Sequence, residues 1–170
     1  MTNIVLVGMP ASGKTTIGKL LSEKLNDYTL YDTDSIIERT QGITIKKKKK
    51  KFSEDYFRKL EHDTIQMLCN GSKKIISVGG GAFENPNTRA TLLKFGKVFY
   101  LKSELDILYY RISSDKTRPL LQNENPKQIL ESLLKKREEN YLKAHYTIDT
   151  TDMSEEEIAR FIINETNTKS

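Results

Sequence analysis

Gly8-Met9-Pro10-Ala11-Ser12-Gly13-Lys14-Thr15 matches the phosphate-binding pattern G-x-x-x-x-G-K-[ST] at all four fixed positions. An apolar run, Ile4–Val7, precedes it, and Ile17, Leu20, Leu21 and Leu25 recur at helical spacing after it. The order is therefore strand, glycine-rich loop, helix. In that geometry the loop amides and the helix N-terminus converge on anionic oxygens. Lys14 would reach the β- and γ-phosphates of a nucleotide, and the Thr15 hydroxyl would ligate Mg²⁺. The alternative is an ordinary strand-to-helix turn that happens to contain a lysine.

A phosphate loop specifies a nucleotide and leaves the second substrate open. Asp32-Thr33-Asp34 follows a second strand candidate, which places two carboxylates at the carboxyl edge of a parallel sheet. One could hold Mg²⁺ through water and the other could accept a proton from a substrate hydroxyl, while an aspartate there serves equally as a helix cap. Arg58 and Glu61 lie three apart on one helix face, where a surface ion pair is the competing reading. Gly79-Gly80-Gly81 follows a strand and lets backbone approach a ligand closely, or forms a plain flexible turn. Arg118 and Arg137 carry guanidinium forks suited to a transferring phosphoryl group and to a carboxylate, although most arginines are solvated.

These groups need a scaffold. Short β-branched or aromatic runs at Ile4–Val7, Ile75–Val78 and Val98–Leu101 suit strands buried on both faces, with shorter candidates at Thr29–Tyr31 and Tyr146–Ile148. Helical patterns alternate with them at Thr15–Leu25, Asp34–Arg39, Glu54–Cys69, Thr88–Lys94, Leu105–Ile112, Pro126–Lys143 and Ser154–Ile163. Such alternation predicts an α/β fold with a parallel sheet. Ser113–Asn125 is polar and contains Arg118-Pro119, which disfavours helix before the proline, so it reads as a mobile loop.

The chain has 170 residues with 36% apolar composition, enough for one well-buried core. No apolar stretch approaches the roughly 20 residues of a membrane span, and no basic, apolar leader is evident, so a cytoplasmic location is expected. Cys69 is the only cysteine and reads as a small apolar helix residue; intramolecular disulfides are excluded. The net charge of +5 comes from Lys46–Lys51, since removing those six charges takes it to −1, and a basic partner surface is not implied. His62 and His145 have no cysteine or second histidine at ligand spacing and read as structural or solvated.

Taken together, the phosphate loop, Asp32-Thr33-Asp34, Phe57-Arg58 with Leu60-Glu61, Gly79-Gly80-Gly81, Arg118-Pro119-Leu120-Leu121 and Lys136-Arg137 with Tyr141 resemble the shikimate kinase family in order and approximate spacing, from Ile4 to about Ile163. The resemblance implies a three-layer α/β/α sandwich around a five-stranded parallel sheet, of the P-loop NTPase, nucleoside-monophosphate-kinase-like type. It also implies a single domain: a core over 1–32 and 73–170, a substrate-binding part over about 33–62, and a lid over about 113–125. The implied activity is ATP-dependent phosphorylation of the 3-hydroxyl of shikimate, with Mg²⁺, in the pathway to chorismate and aromatic amino acids. Shikimate and ATP are the expected partners of a monomer that binds neither nucleic acid nor membrane.

Residue roles follow from the same resemblance. Ala11, Ser12, Gly13, Lys14, Thr15 and Thr16 would enclose the ATP phosphates, and Lys14 with Arg118 would stabilise the transferring group. Thr15 and Asp32 would serve Mg²⁺, and Asp34 would act as base or orienting group on the shikimate hydroxyls. Arg58, Arg137 and the turn Gly79, Gly80, Gly81 would hold the carboxylate and ring hydroxyls, with Glu61 orienting Arg58. Arg111 occupies the place of a side chain laid over adenine. The polar loop would carry Arg118 inward and exclude water on closing.

One segment departs from the family pattern. Lys46–Lys51, followed by Phe52-Ser53-Glu54, stands where an apolar-containing helix with a glycine-glutamate pair is usual. Six lysines supply no side chain that can be buried without its charge. The run reads as a sequence-level artefact, a solvated insertion, or a polybasic patch; it lacks the aromatics and amphipathic frame of the last. A gluconate or nucleoside-monophosphate kinase is the nearest enzymatic rival. A GTPase-like switch or nucleic-acid-binding ATPase is the rival of another class, and the guanine-selective Asn-Lys-x-Asp signature is absent.

Overall fold

The computed structural model describes residues 2–42, 54–114 and 125–168. Within them lie five strands, β1 (Asn3–Val7), β2 (Thr29–Asp32), β3 (Lys74–Ser77), β4 (Gly96–Lys102) and β5 (Tyr146–Asp149). The helices are α1 (Lys14–Lys24), α2 (Thr33–Gln41), α3 (Glu54–Cys69), α4 (Pro86–Phe95), α5 (Leu105–Ser113), α6 (Pro126–Tyr141) and α7 (Glu155–Asn167). The strands form one parallel sheet in the order β2-β3-β1-β4-β5.

The continuous apolar runs explain the layering. Every residue of β1 is buried, because alternate side chains enter two separate cores. Ile4 and Leu6 pack with Ile17 and Leu21 of α1 and Ile158 and Ile162 of α7. Val5 and Val7 pack on the other face with Ile65 of α3, Leu92 of α4, Leu108 of α5 and Leu130 of α6. The result is the expected three-layer sandwich. Asn3 is buried at the start of β1, where its side chain donates to the carbonyls of Gly71 and Phe95, each at 3.1 Å, and accepts from the Lys74 amide at 3.1 Å. It thereby ties together the chain entering three neighbouring strands.

Helix ends follow local chemistry. Ser154 and Glu157 form a capping box at α7, and Asn85 caps α4 with Pro86 in its first turn. Several bounds differ from the sequence reading by one or two residues, and α7 runs on to Asn167, four residues past Ile163. Ser113 belongs to α5, with Ser114 N–H still bonded to Tyr110 O at 3.2 Å, so the polar segment begins one residue later than its composition suggests. Ala82–Glu84 forms a 3₁₀ turn with no counterpart among the expected elements, because three residues carry no periodicity; burial of Ala82 and Phe83 holds it. Arg118, the remainder of the polar loop and Lys46–Lys51 lie outside the described residues.

The strand order sets the site. The chain runs from β1 to β2 and β3 on one side, then crosses β1 to reach β4 on the other. The carboxyl end of β1 is therefore the switch point of the sheet, where ligands of open α/β folds bind.

Candidate functional site

At that switch point the loop after β1 takes a conformation that its glycines permit. Gly13 has φ 101° and Gly8 φ 152°, and a β-carbon on Gly8 would stand 2.9 Å from the Leu101 carbonyl oxygen. Ala11 also has positive φ, at 66°. Lys14 Nζ is held across the loop by donating to Gly8 O at 2.7 Å and Met9 O at 2.9 Å. The first turn of α1 contains no acidic residue, so nothing there opposes an anion at the helix N-terminus.

A cavity of about 610 Å³ opens over this loop. Its wall includes Ala11 through Thr16, then Asp32, Asp34, Gly79 and Gly80. The phosphate loop and the two-carboxylate turn thus share one space, as their positions at strand ends imply. Arg111 lines it too, donating from Nη1 to Ala11 O at 2.9 Å.

Asp32 and Asp34 diverge in environment. Asp32 Oδ1 accepts the Ser35 amide at 3.0 Å, so it is the cap of α2 while also facing the cavity. Between them Thr33 is fully buried and its Oγ1 accepts the Gly79 amide at 3.3 Å. That bond draws the turn after β3 against α2 and brings Asp34 to Gly79.

The three glycines are required by close approach. A β-carbon on Gly79 would lie 2.8 Å from Asp34 Oδ1 and 3.0 Å from Glu61 Oε2. On Gly80 it would lie 2.8 Å from Arg137 Nη1, and on Gly81 2.8 Å from Arg58 Cζ. Four charged side chains from three helices therefore converge on one bare backbone turn. Arg58, Glu61 and Arg137 adjoin the cavity through it.

The Arg58–Glu61 pair is no surface contact. Glu61 is 2% exposed and its Oε1 accepts from Arg58 Nη1 at 2.7 Å, while Glu54 Oε1 accepts from Arg58 Nε at 3.1 Å. Burial by itself would lower the Arg58 pKa, but Glu61, then Glu54 and Glu84, hold it above the ordinary value. Arg137, with its side chain 12% exposed, has Nε 3.7 Å from Glu84 Oε2. Two largely buried guanidinium groups on one turn can grip an anion in two-point geometry.

Mg²⁺ can be tested against this donor set. Thr15 and Asp32 place one hydroxyl and one carboxylate on the cavity, both hard oxygen donors. Among the described residues no cluster of three or more His, Cys, Asp or Glu forms a cage. Two such protein oxygens fit Mg²⁺, which keeps several waters and takes most of its other ligands from nucleotide phosphates.

Several wall residues were not anticipated. Thr150 and Met153 reach the cavity from the connection after β5, Glu155 from the first turn of α7, and Ser35, Ser77 and Val78 from beside the glycine turn. Their position after a parallel strand was the available signal for Thr150. Glu84, in the unanticipated 3₁₀ turn, had none. Tyr141 entered only as a matched position, yet its hydroxyl donates to Gly80 O. The histidines are structural: His62 Nδ1 bonds Thr88 Oγ1 at 2.9 Å, and His145 Nδ1 accepts the Val98 amide at 2.9 Å. Cys69 is buried at the end of α3.

Known proteins resemble this chain over nearly its whole length. The family model described as "Shikimate kinase" matches residues 10–167. A shikimate kinase of Clostridium botulinum (strain 657 / Type Ba4) is 44% identical over 157 residues, covering 91% of each chain. Another, of Thermodesulfovibrio yellowstonii, is 37% identical over 165 residues, covering 97% of this chain and 95% of the relative. The structure titled shikimate kinase from Acinetobacter baumannii in complex with shikimate superposes with TM-score 0.90 at 38% identity, covering 99% of this chain and 96% of that one. A gluconokinase from Sinorhizobium meliloti 1021, at 16% identity and TM-score 0.63, covering 96% of this chain and 90% of its own, shares the fold alone. With a phosphate loop and a paired-arginine glycine turn on one cavity, and with likeness of that extent to shikimate kinases, the chain belongs to the shikimate kinase family.

Proposed function

We propose that this chain transfers the γ-phosphoryl group of ATP to the 3-hydroxyl of shikimate. The products are shikimate 3-phosphate and ADP, on the route to chorismate and the aromatic amino acids. The observation that carries the reading is one cavity bordered by the Gly8–Thr15 loop and by a glycine turn against which Arg58 and Arg137 pack.

In this reading the loop amides from Ala11 to Thr16 and the Lys14 ammonium bind the β- and γ-phosphates. Arg58, Arg137 and the Gly79–Gly81 backbone hold the carboxylate and ring hydroxyls of shikimate, with Glu61 orienting Arg58. The substrate O3 forms a bond to the γ-phosphorus as the bond to the bridging β–γ oxygen breaks. Asp34 orients that hydroxyl and receives its proton. Such transfer depends on positioning and charge stabilisation more than on covalent help, so fixed cations around the phosphoryl oxygens suffice. Thr15 and Asp32 would hold Mg²⁺, which when bound neutralises charge on those oxygens. Arg118 would join Lys14 as the polar loop closes, and Arg111 would lie against the base.

The same reading makes the protein a cytoplasmic monomer with two small-molecule substrates and no nucleic-acid or membrane partner. Coupled ADP release with shikimate, gluconate and a nucleoside monophosphate tests it: shikimate alone should accelerate release. No acceleration by shikimate, or DNA binding that falls steeply with salt in its place, would overturn it.

A further inference from the structure

Tyr141 closes α6 at 1% exposure, its ring stacked on Tyr100 with centroids 4.9 Å apart. Its hydroxyl donates to Gly80 O, and the guanidinium of Arg137, one turn earlier on the same helix, faces the same hydroxyl. A phenol has one proton to give and lone pairs to receive, so this oxygen can donate to the carbonyl and accept from the guanidinium together. Burial, above all, raises the Tyr141 pKa, which keeps the proton in place at neutral pH.

The carbonyl of Gly80 belongs to the peptide that joins it to Gly81. Fixing that oxygen fixes the plane, and with it the Gly81 amide on the opposite edge. Gly81 is also the residue packed on the Arg58 guanidinium. One hydroxyl thus lies beside Arg137, one turn back on its own helix, and is tied to Arg58 through a rigid peptide.

We propose that Tyr141 is a positioning residue for the acid substrate, its hydroxyl setting the Gly80–Gly81 peptide and the two arginines in register with one another. The proposal rests on the function given above. Tyr141 touches neither nucleotide nor substrate in this scheme; it acts through the groups that do.

Tyr141→Phe removes only the hydroxyl and keeps the stacked ring. The expected result is a KM for shikimate raised about 3- to 10-fold, the equivalent of one lost hydrogen bond, with kcat and the KM for ATP within about twofold of wild type. A purely structural role would loosen both substrates together or lower the thermal midpoint alone, and either result overturns the proposal. Should the variant be unstable, titration calorimetry with shikimate at a temperature where it is folded replaces the kinetics. The penalty should also shrink in an Arg137→Gln background, and full additivity of the two substitutions refutes the coupling. A wild-type enzyme that shikimate does not accelerate refutes the proposed function. A wild-type enzyme that it does accelerate, alongside an unchanged KM in Tyr141→Phe, refutes this inference alone.

Discussion

Gly81→Ala isolates the steric demand of the substrate turn. Gly81 has φ −94° and ψ −4°, a conformation open to any residue, so the substitution strains no backbone. Its cost arises from contact. The new methyl would lie 2.8 Å from Arg58 Cζ and 2.8 Å from Nη1, whereas ordinary contact begins at 3.4 Å. The guanidinium or the turn must therefore move by more than the 0.6 Å that separates those two distances, because the methyl would meet Arg58 Nη2 more closely still. Arg58 cannot swing away freely, because Glu61 and Glu54 hold it at 2.7 and 3.1 Å. Misplacing a positioning group by about 1 Å can cost ~100-fold, so this shift should lower kcat/KM for shikimate by about 10- to 100-fold, or roughly 1.4–2.7 kcal/mol. Initial rates of ADP release at varied shikimate and saturating ATP give the number, with a thermal melt to confirm folding. The KM for ATP should stay near wild type, since the phosphate loop is untouched. A folded Gly81→Ala enzyme with kcat/KM for shikimate within twofold of wild type would refute the reasoning.

Other substitutions test separate parts of the structure. Glu61→Ala leaves Arg58 without its buried partner and should destabilise the fold by roughly 3 kcal/mol, read from urea unfolding, while Glu61→Gln should lose less. Asn3→Ala removes three buried hydrogen bonds at the mouths of β1, β3 and β4 and should cost about 2–4 kcal/mol by the same assay, with kinetic constants unchanged in the folded fraction. Burial first, and Lys97 second, depress the His145 pKa below its ordinary value near 6.5. The unfolded chain then takes up a proton before the folded one does, so stability is full above about pH 6.5 and falls as the pH drops below it; His145→Gln should flatten that fall in melts across pH 5–8. Arg118→Ala should reduce turnover far more than ATP affinity, and equal losses in kcat and nucleotide binding would argue against a role confined to the transition state.

What could be read from residues alone was whatever local pattern encodes. Ile4–Val7 and the fixed positions of Gly8–Thr15 announced a strand, an anion-binding loop and a helix, because each depends only on near neighbours in the chain. The five strands and the alternation with helices followed from periodicity in the same way, and the strands stand within two residues of the expected bounds. Resemblance then supplied roles for Arg58, Glu61 and Arg137, whose own positions had favoured a surface reading.

Tertiary structure decided which groups meet. Helical spacing placed Arg58 and Glu61 on one face but could not say that the face is buried, nor that Glu54 completes the clamp. Asp32 proved to be a helix cap that also faces the cavity, two readings that had been set against each other. Thr150, Glu84 and Tyr141 join the site only because β1 lies between β3 and β4, bringing distant strand ends and the end of α6 to one rim. No local signal marks such residues, since their role depends on the pairing of strands far apart in the chain, and that pairing is set by how the whole sheet buries its two faces.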